Sequence, residues 1–286
     1  MPNPIPESEL IINPDGSIYH LHLKPGQVAD TIITAGDPDR VTLISSHFDS
    51  IELKVQHREF ITHTGWLRGK RISAMSTGMG TDNIEIFMTE LDALFNVDFI
   101  TRLPKPDPKQ LQIVRVGTSG SMQTSLPEDS ILVSSMAVGL DPLVAFYTIP
   151  QTALEAQLAK HVKQCLDLPF LPYCVAGSAK LMDKLGKGFY SGITVTCPGF
   201  FGPQGREVRL KPRIPAIFSQ LGEHPFEKFA FTNFEMETAG YYAMAKMLGH
   251  EVISMNAIVA NRISGRISKS PGLIVENLIK KVLERI

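Results

Sequence analysis

The 286 residues carry no strong charge of either sign, with 28 lysines and arginines against 29 acidic residues and a formal net charge of −1. That balance excludes long-range attraction to nucleic acid or to an anionic membrane, so any anion must be held by a local cluster. Cysteine is scarce: Cys165, Cys174 and Cys197, with no C-x-x-C pair. An odd count without spacing argues against a disulfide framework and for apolar packing residues in a reducing cytosol. No apolar run approaches the roughly 18 residues of a membrane span. The start Met1-Pro2-Asn3-Pro4 lacks a basic segment followed by an apolar stretch, so a cytoplasmic chain without a signal peptide is expected. Two catalytic signatures are missing as well. There is no H-E-x-x-H metal spacing, and no metal is expected. There is no G-x-S-x-G nucleophile elbow.

What remains is an ordinary globular composition, 43% apolar and 20% charged. A chain this long can bury a sizeable core without covalent staples. The first thirty residues, rich in proline and polar groups, predict an extended arm with one ordered patch at Ile18-Tyr19-His20-Leu21. Strands are predicted at 31–34, 51–56, 60–67, 71–76, 112–116, 131–134 and 251–259. Helical periodicity fits 83–95, 152–166, 238–248 and 273–285. Their alternation predicts an α/β sheet covered by helices on both sides, in a single domain spanning 1–286 with the arm at 1–30. Pro104, Pro106 and Pro108 mark a stiff surface loop.

Four segments offer chemistry. In Gly36-Asp37-Pro38-Asp39-Arg40, a glycine at a strand end precedes a helix whose free N–H groups and dipole favour an anion, with Arg40 beside them. A capped helix with a surface arginine would look the same. The segment lacks the Gly-Lys-Ser/Thr ending of a P-loop. In Arg115-Val116-Gly117-Thr118-Ser119-Gly120-Ser121, an arginine inside an apolar strand needs a partner. It precedes what reads as a loop of glycines and hydroxyls. That loop would add donors around a phosphate; an arginine paired with a carboxylate is the alternative. Glu235-Met236-Glu237 opens a helix. One carboxylate would accept from both cis hydroxyls of a ribose, with the methionine against the sugar, or both would only complement the helix N-terminus. Phe200 to Arg206 is a glycine- and proline-rich loop in which the Gln204 amide and the Arg206 guanidinium match the edge of a uracil ring and Phe200 can stack on it. A solvent-exposed turn is the alternative. Ser76-Thr77-Gly78-Met79-Gly80 contains G-x-G without the third glycine, so it reads as a tight turn and not as a dinucleotide fingerprint. His57-Arg58-Glu59 is a charged connection between two strands.

Taken in order, Ile18 to Leu21, Gly36 to Val41, His57 to Phe60, Ser76 to Gly78, Arg115 to Gly120, the Gln204/Arg206 loop and Phe234 to Glu237 resemble the nucleoside phosphorylase family, in particular its uridine-cleaving members. The resemblance implies a mixed, partly barrel-like sheet surrounded by helices. It implies reversible phosphorolysis of uridine to uracil and ribose 1-phosphate, with inorganic phosphate as co-substrate and no cofactor. By resemblance, Gly36, Arg40, Arg58, Arg115 and Thr118 would hold phosphate. His20, Glu235, Met236, Glu237 and Thr118 would hold ribose. Phe200, Gln204, Arg206, Ser119 and Gly120 would surround the base, and Arg206, Gln204 and Arg115 would carry catalysis. His20 and Arg58 would act across subunits, implying at least a dimer. Some relatives hold potassium through a glutamate matching Glu59 and a serine, but Asn83 stands at the serine position. The run Ala260-Asn261-Arg262-Ile263 lacks the aspartate with which purine-cleaving members protonate their base, and Arg40 and Arg115 favour phosphorolysis over hydrolysis. A purine phosphorylase, a nucleosidase and a non-catalytic nucleoside-binding protein are the competing readings.

Overall fold

The computed structural model describes residues 3–286; Met1 and Pro2 of the expected arm lie outside the described residues. In chain order the elements begin β1 (Thr31–Ala35), α1 (Pro38–Ser45), β2 (Ser50–His57), β3 (Phe60–Leu67), β4 (Lys70–Ser76), α2 (Thr81–Asn96), β5 (Val97–Asp98), β6 (Leu103–Pro104) and β7 (Gln112–Ser121). They continue with β8 (Ile131–Gly139), α3 (Ala153–Leu166), β9 (Tyr173–Ala176), α4 (Ala179–Leu185), β10 (Tyr190–Thr196), α5 (Ile217–Glu223) and β11 (Phe231–Glu235). The last are α6 (Thr238–Leu248), β12 (Glu251–Asn261), β13 (Arg266–Ile267) and α7 (Pro271–Arg285). The fold is mixed α/β. The chain divides into two compact units: Met1–Met79, Asn83–Ile113 and Leu248–His250 form the first, and Gly80–Asp82, Val114–Met247 and Glu251–Ile286 the second.

In the first unit, β4 lies between β1, its parallel neighbour, and β3, its antiparallel one, and β2 extends the sheet beyond β3. Two-residue connections set the registers. Arg68 and Gly69, both at positive φ (50° and 75°), turn β3 into β4, which matches the right-handed strand twist. Arg58 at φ 54° turns β2 into β3. Helix α1 begins as its sequence predicts: Asp37 caps it by accepting from the Asp39 N–H, and Pro38 fills the first turn, where no donor is needed. The arm is tied down along more of its length than one ordered patch. Ile18, Leu21, Leu23 and Val28 are all buried. Farther out, Arg102 donates to the carbonyls of Ile5, Pro6 and Leu10. Proline removes donors from such a segment but leaves every carbonyl as an acceptor, and one guanidinium gathers three of them.

In the second unit the strands run β13-β12-β8-β10-β11-β7, and β12 also pairs with β7. That last pairing closes β7, β11, β10, β8 and β12 into a ring, which is the partly barrel-like sheet expected from the resemblance. β8–β10 and β10–β11 are parallel, while β11–β7 and β8–β12 are antiparallel. Strand β7 does not stop at Val116 to become a loop, as the sequence suggests. It continues to Ser121, pairing Gly120 with Phe234 and Ser121 with Asn233. Glycines and hydroxyls read as loop formers, but here the missing side chain at Gly120 is required: a Cβ there would fall 2.6 Å from the Phe234 ring. Helix α3 is set by a full capping box between Thr152 and Glu155. Around the ring packs a core that includes Leu158, Val162, Val195, Phe218, Phe231 and Phe234. Among the described residues no helix is long and apolar enough to cross a membrane.

Candidate active site

The interior of the strand ring is polar, and one buried arginine organises it. Arg115 on β7 is 4% exposed. Its Nη1 donates to Asn256 Oδ1 at 2.9 Å and to Ser254 Oγ at 3.2 Å, both on β12. Its Nη2 faces Glu237 Oε2 at 2.6 Å and Glu235 Oε2 at 2.9 Å. Burial opposes the charge of Arg115, yet the two carboxylates outweigh burial and hold the guanidinium above its ordinary value. For Glu237 burial dominates in the other direction. It raises the carboxyl above the usual glutamate range, Arg115 pulling it down and Glu235 adding to the rise.

The carboxylates are placed by the strand-to-helix junction that the sequence pattern marks. Glu235 ends β11, and its carboxylate accepts from the N–H groups of Glu237 and Thr238 and from the Thr196 hydroxyl. It therefore serves the orphan donors at the start of α6, as a helix-capping carboxylate should. Glu237 accepts from the Gly80 N–H at 2.9 Å. Met236 between them is half-buried. Glu235 thus realises the helix-capping reading of this motif, and both carboxylates also face the Arg115 guanidinium.

From Arg115 the network runs on round the ring. Asn256 Nδ2 reaches Ser134 Oγ at 3.2 Å, Ser134 reaches Thr194 at 2.5 Å, Thr194 reaches Asn233 at 2.7 Å, and Asn233 Nδ2 donates to Ser119 Oγ at 3.0 Å. Ser119, Asn233, Thr194 and Ser134 are buried, and such a network is stable only because its members satisfy one another. Thr118, half-buried, alternates with Ser119 along the strand.

The loop after β10 forms a second cluster. The Gln204 side chain is buried, and its Oε1 accepts from the Arg206 guanidinium, which also donates to the Phe200 carbonyl at 2.6 Å. The amide oxygen is thus committed, and the Gln204 Nε2 is left as the donor. Arg206 lies 3.8 Å over the Phe200 ring, a cation–π distance. A second arginine joins it. Arg262 donates to the Gln204 carbonyl at 3.3 Å and lies 5.2 Å over Phe218, whose ring stacks on Phe234 at 3.8 Å. Burial depresses the Arg206 guanidinium below its ordinary value, and the like charge of Arg262 adds to the depression; burial lowers Arg262 too. Among the described residues neither arginine has a carboxylate at ion-pair distance.

The remaining expected residues lie in the first unit. Gly36 sits where β1 turns toward α1, and a Cβ there would come within 3.0 Å of the Gly78 carbonyl. Arg40 in α1 has a mostly buried side chain 3.9 Å from Asp37. His20 and Arg58 flank Tyr19: the His20 ring meets it edge-on at 4.7 Å, and the Arg58 guanidinium lies 5.6 Å over its face.

A family model described as the phosphorylase superfamily matches residues 30–283. The chain belongs to the phosphorylase superfamily. Among its superfamily relatives, a uridine phosphorylase of Thermococcus kodakarensis is 29% identical over 256 residues, covering 90% of this chain and 82% of the relative. A DeoD-type purine nucleoside phosphorylase of Colwellia psychrerythraea is 27% identical, covering 82% and 84%. The crystal structure of a Trypanosoma brucei nucleoside phosphorylase, described as showing uridine phosphorylase activity, superposes with a TM-score of 0.89 at 29% identity, covering 96% and 98%.

For this superfamily member, the sequence alone does not single out four contributors. Arg262 stands out in the sequence only through the aspartate that its run lacks. Its signal is an arginine just past the strand predicted at 251–259. Asn256 and Ser254 were missed because polar residues inside an apolar strand announce a buried network, but not which charge they serve. Gly80 reads as part of a tight turn, and its N–H is what reaches Glu237.

Proposed function

We propose that this chain catalyses the reversible phosphorolysis of uridine, yielding uracil and ribose 1-phosphate. The observation that carries the reading is the Gln204–Arg206–Arg262 cluster: two half-buried guanidiniums that have no carboxylate partner among the described residues, set over phenylalanine rings beside an amide donor. Such a place favours a flat group that becomes anionic, as a pyrimidine does when its glycosidic bond breaks. A phosphate oxygen bonds to the sugar C1′ while the C1′–N1 bond breaks. The electron pair departs on the base, which then takes a proton from solvent. No covalent nucleophile is needed; the protein positions the reactants and stabilises the leaving charge.

In this reading Phe200, Gln204, Arg206, Ser119 and Gly120 surround uracil, and Arg262 joins them. Glu235, Met236, Glu237, Thr118 and His20 serve ribose. Gly36, Arg40, Arg58, Arg115 and Thr118 serve phosphate. The terminal nitrogens of Arg115 are engaged by protein acceptors, so its Nε–H is the donor left for the anion. The family match across residues 30–283 supports reading the two compact units as one functional domain. The reading includes a cytoplasmic homo-oligomer in which His20 and Arg58 serve a neighbouring subunit.

The test is uracil release from uridine at varied phosphate, with inosine and methylthioadenosine in parallel. Phosphate-dependent release from uridine is expected. Release without phosphate would mean a hydrolase, release of a purine base would overturn the pyrimidine assignment, and uridine binding without turnover would leave a binding protein.

A further inference from the structure

One carboxylate outside the clusters above is spent on a single turn of the arm. Glu90, on α2, accepts four contacts from a segment 70 residues earlier. Its Oε1 accepts from the His20 N–H at 3.0 Å and faces the His20 ring Nδ1 at 2.7 Å. Its Oε2 accepts from the same backbone N–H at 3.0 Å and from the Leu21 N–H at 2.8 Å. Two backbone contacts would suffice to tether the arm. The Nδ1 contact does something else, because it decides which ring nitrogen carries the proton.

A carboxylate only accepts, so the nitrogen facing it must be an N–H. When the imidazole is neutral, the other nitrogen is then an acceptor, a choice made by the neighbour and not by the ring. The His20 side chain is 28% exposed, and its Nε2 has no hydrogen bond among the described residues. The rest of the segment is pinned too. The His57 Nδ1 lies 3.0 Å from the His20 carbonyl and donates to it, the His22 ring stacks on His57 at 4.9 Å, and Tyr19 meets the His20 ring edge-on.

We propose that Glu90 is a positioning residue that holds His20 with its proton on Nδ1 and turns Nε2 outward as an acceptor for a pentose hydroxyl. This rests on His20 serving ribose, as in the function proposed above. A hydroxyl donor is selected by this arrangement, and a ligand carbonyl or phosphate oxygen at the same place is not, because two acceptors would face each other.

The tautomer is read directly by nitrogen-15 NMR of the protein labelled on its histidine rings, at mildly alkaline pH, with His20 assigned through His20→Asn. Wild type should show a protonated Nδ1 and a bare Nε2. Glu90→Leu should let the proton exchange between both nitrogens. Glu90→Gln keeps one acceptor oxygen and should retain the wild-type pattern even where its melting temperature falls. Kinetically, Glu90→Leu should raise the KM for uridine roughly tenfold, with kcat nearly unchanged and Glu90→Gln close to wild type, as for the loss of one hydrogen bond. Among deoxyuridines lacking one hydroxyl each, one should show no penalty from Glu90→Leu. A wild-type proton on Nε2, or a KM that follows melting temperature across both variants, would overturn the proposal. If wild type cleaves no uridine, the functional reading fails on its own, while the tautomer measurement still decides what Glu90 does.

Discussion

Arg115 Nη2 stands 2.6 Å from Glu237 Oε2 while Glu235 Oε2 shares the same nitrogen at 2.9 Å, so one buried cation holds two carboxylates in place. Removing the cation leaves both carboxylates buried with neutral donors only. Arg115→Met is expected to lower the free energy of unfolding by about 3–5 kcal/mol, the cost of breaking a buried pair from one side. Denaturant unfolding checks it. In assays of the surviving folded fraction, the KM for nucleoside should rise along with that for phosphate, because Glu237 loses its orientation as well. A rise confined to phosphate would mean that Arg115 does not position Glu237.

The raised Glu237 carboxyl has a pH consequence with a definite sign. A carboxyl that accepts from ribose hydroxyls must be ionised, so kcat/KM should fall on the acid side as pH drops through a value above the ordinary glutamate range. Glu235 contributes to that rise. Glu235→Gln is therefore expected to move the acid limb to lower pH. For stability the sign is opposite to that of a salt-bridged surface acid. Between the ordinary and the raised value, the folded chain keeps a proton that the unfolded chain releases, so this group makes folding less favourable as pH rises through that window. Glu237→Gln should remove that slope from the pH dependence of melting temperature.

Arg206 and Arg262 make a second pair, of like charge, and their expected behaviour differs from that of Arg115. Arg206→Ala is expected to lower kcat about a hundredfold, the usual loss for one donor aimed at a developing anion, with little change in the KM for phosphate. Arg262→Ala should lower kcat less and bring the Arg206 guanidinium back toward its ordinary value, since a neighbouring like charge is gone. Steady-state kinetics in uridine and phosphate separate these effects. A collapse of phosphate affinity in Arg206→Ala with normal turnover at saturation would reverse the role assigned to this loop.

Much of this arrangement is legible in the sequence where local chemistry decides. Asp37 and Pro38 announce the start of α1, Thr152 begins a helix whose Glu155 completes its cap, and the β-branched run at 31–34 becomes β1. The strands β9, β10 and β11 and the short helices α4 and α5 were not legible. β9 has four residues, too few to show a period. β10 is buried along its last five residues, so no alternation marks it. Gly117 to Ser121 misled for a physical reason: a strand that packs against a ring and a guanidinium needs small residues, and these are the residues that also make loops. For the site, residue types were readable and their partners were not. The pairing of Arg115 with Glu235 and Glu237 spans about 120 residues and depends on closure of the strand ring.

Gly117 tests the placement of the guanidinium without replacing a charged group. It lies two residues along β7 from Arg115, on the same face, and a Cβ there would meet the Arg115 guanidinium carbon at 2.6 Å and Asn256 Oδ1 at 2.7 Å. An arginine end is flexible in principle, but this one is held by two carboxylates, an amide and a hydroxyl, so it cannot move aside without giving up partners. Gly117→Ala is therefore expected to keep the far-UV circular dichroism of the parent and to cost about 1–3 kcal/mol of stability through overpacking. The KM for both substrates should rise, because Arg115 and Glu237 shift together. Gly117→Ala with unchanged KM values would show that the guanidinium can occupy another position and still serve the reaction, and would remove the fixed Arg115–Glu237 geometry from the explanation of activity.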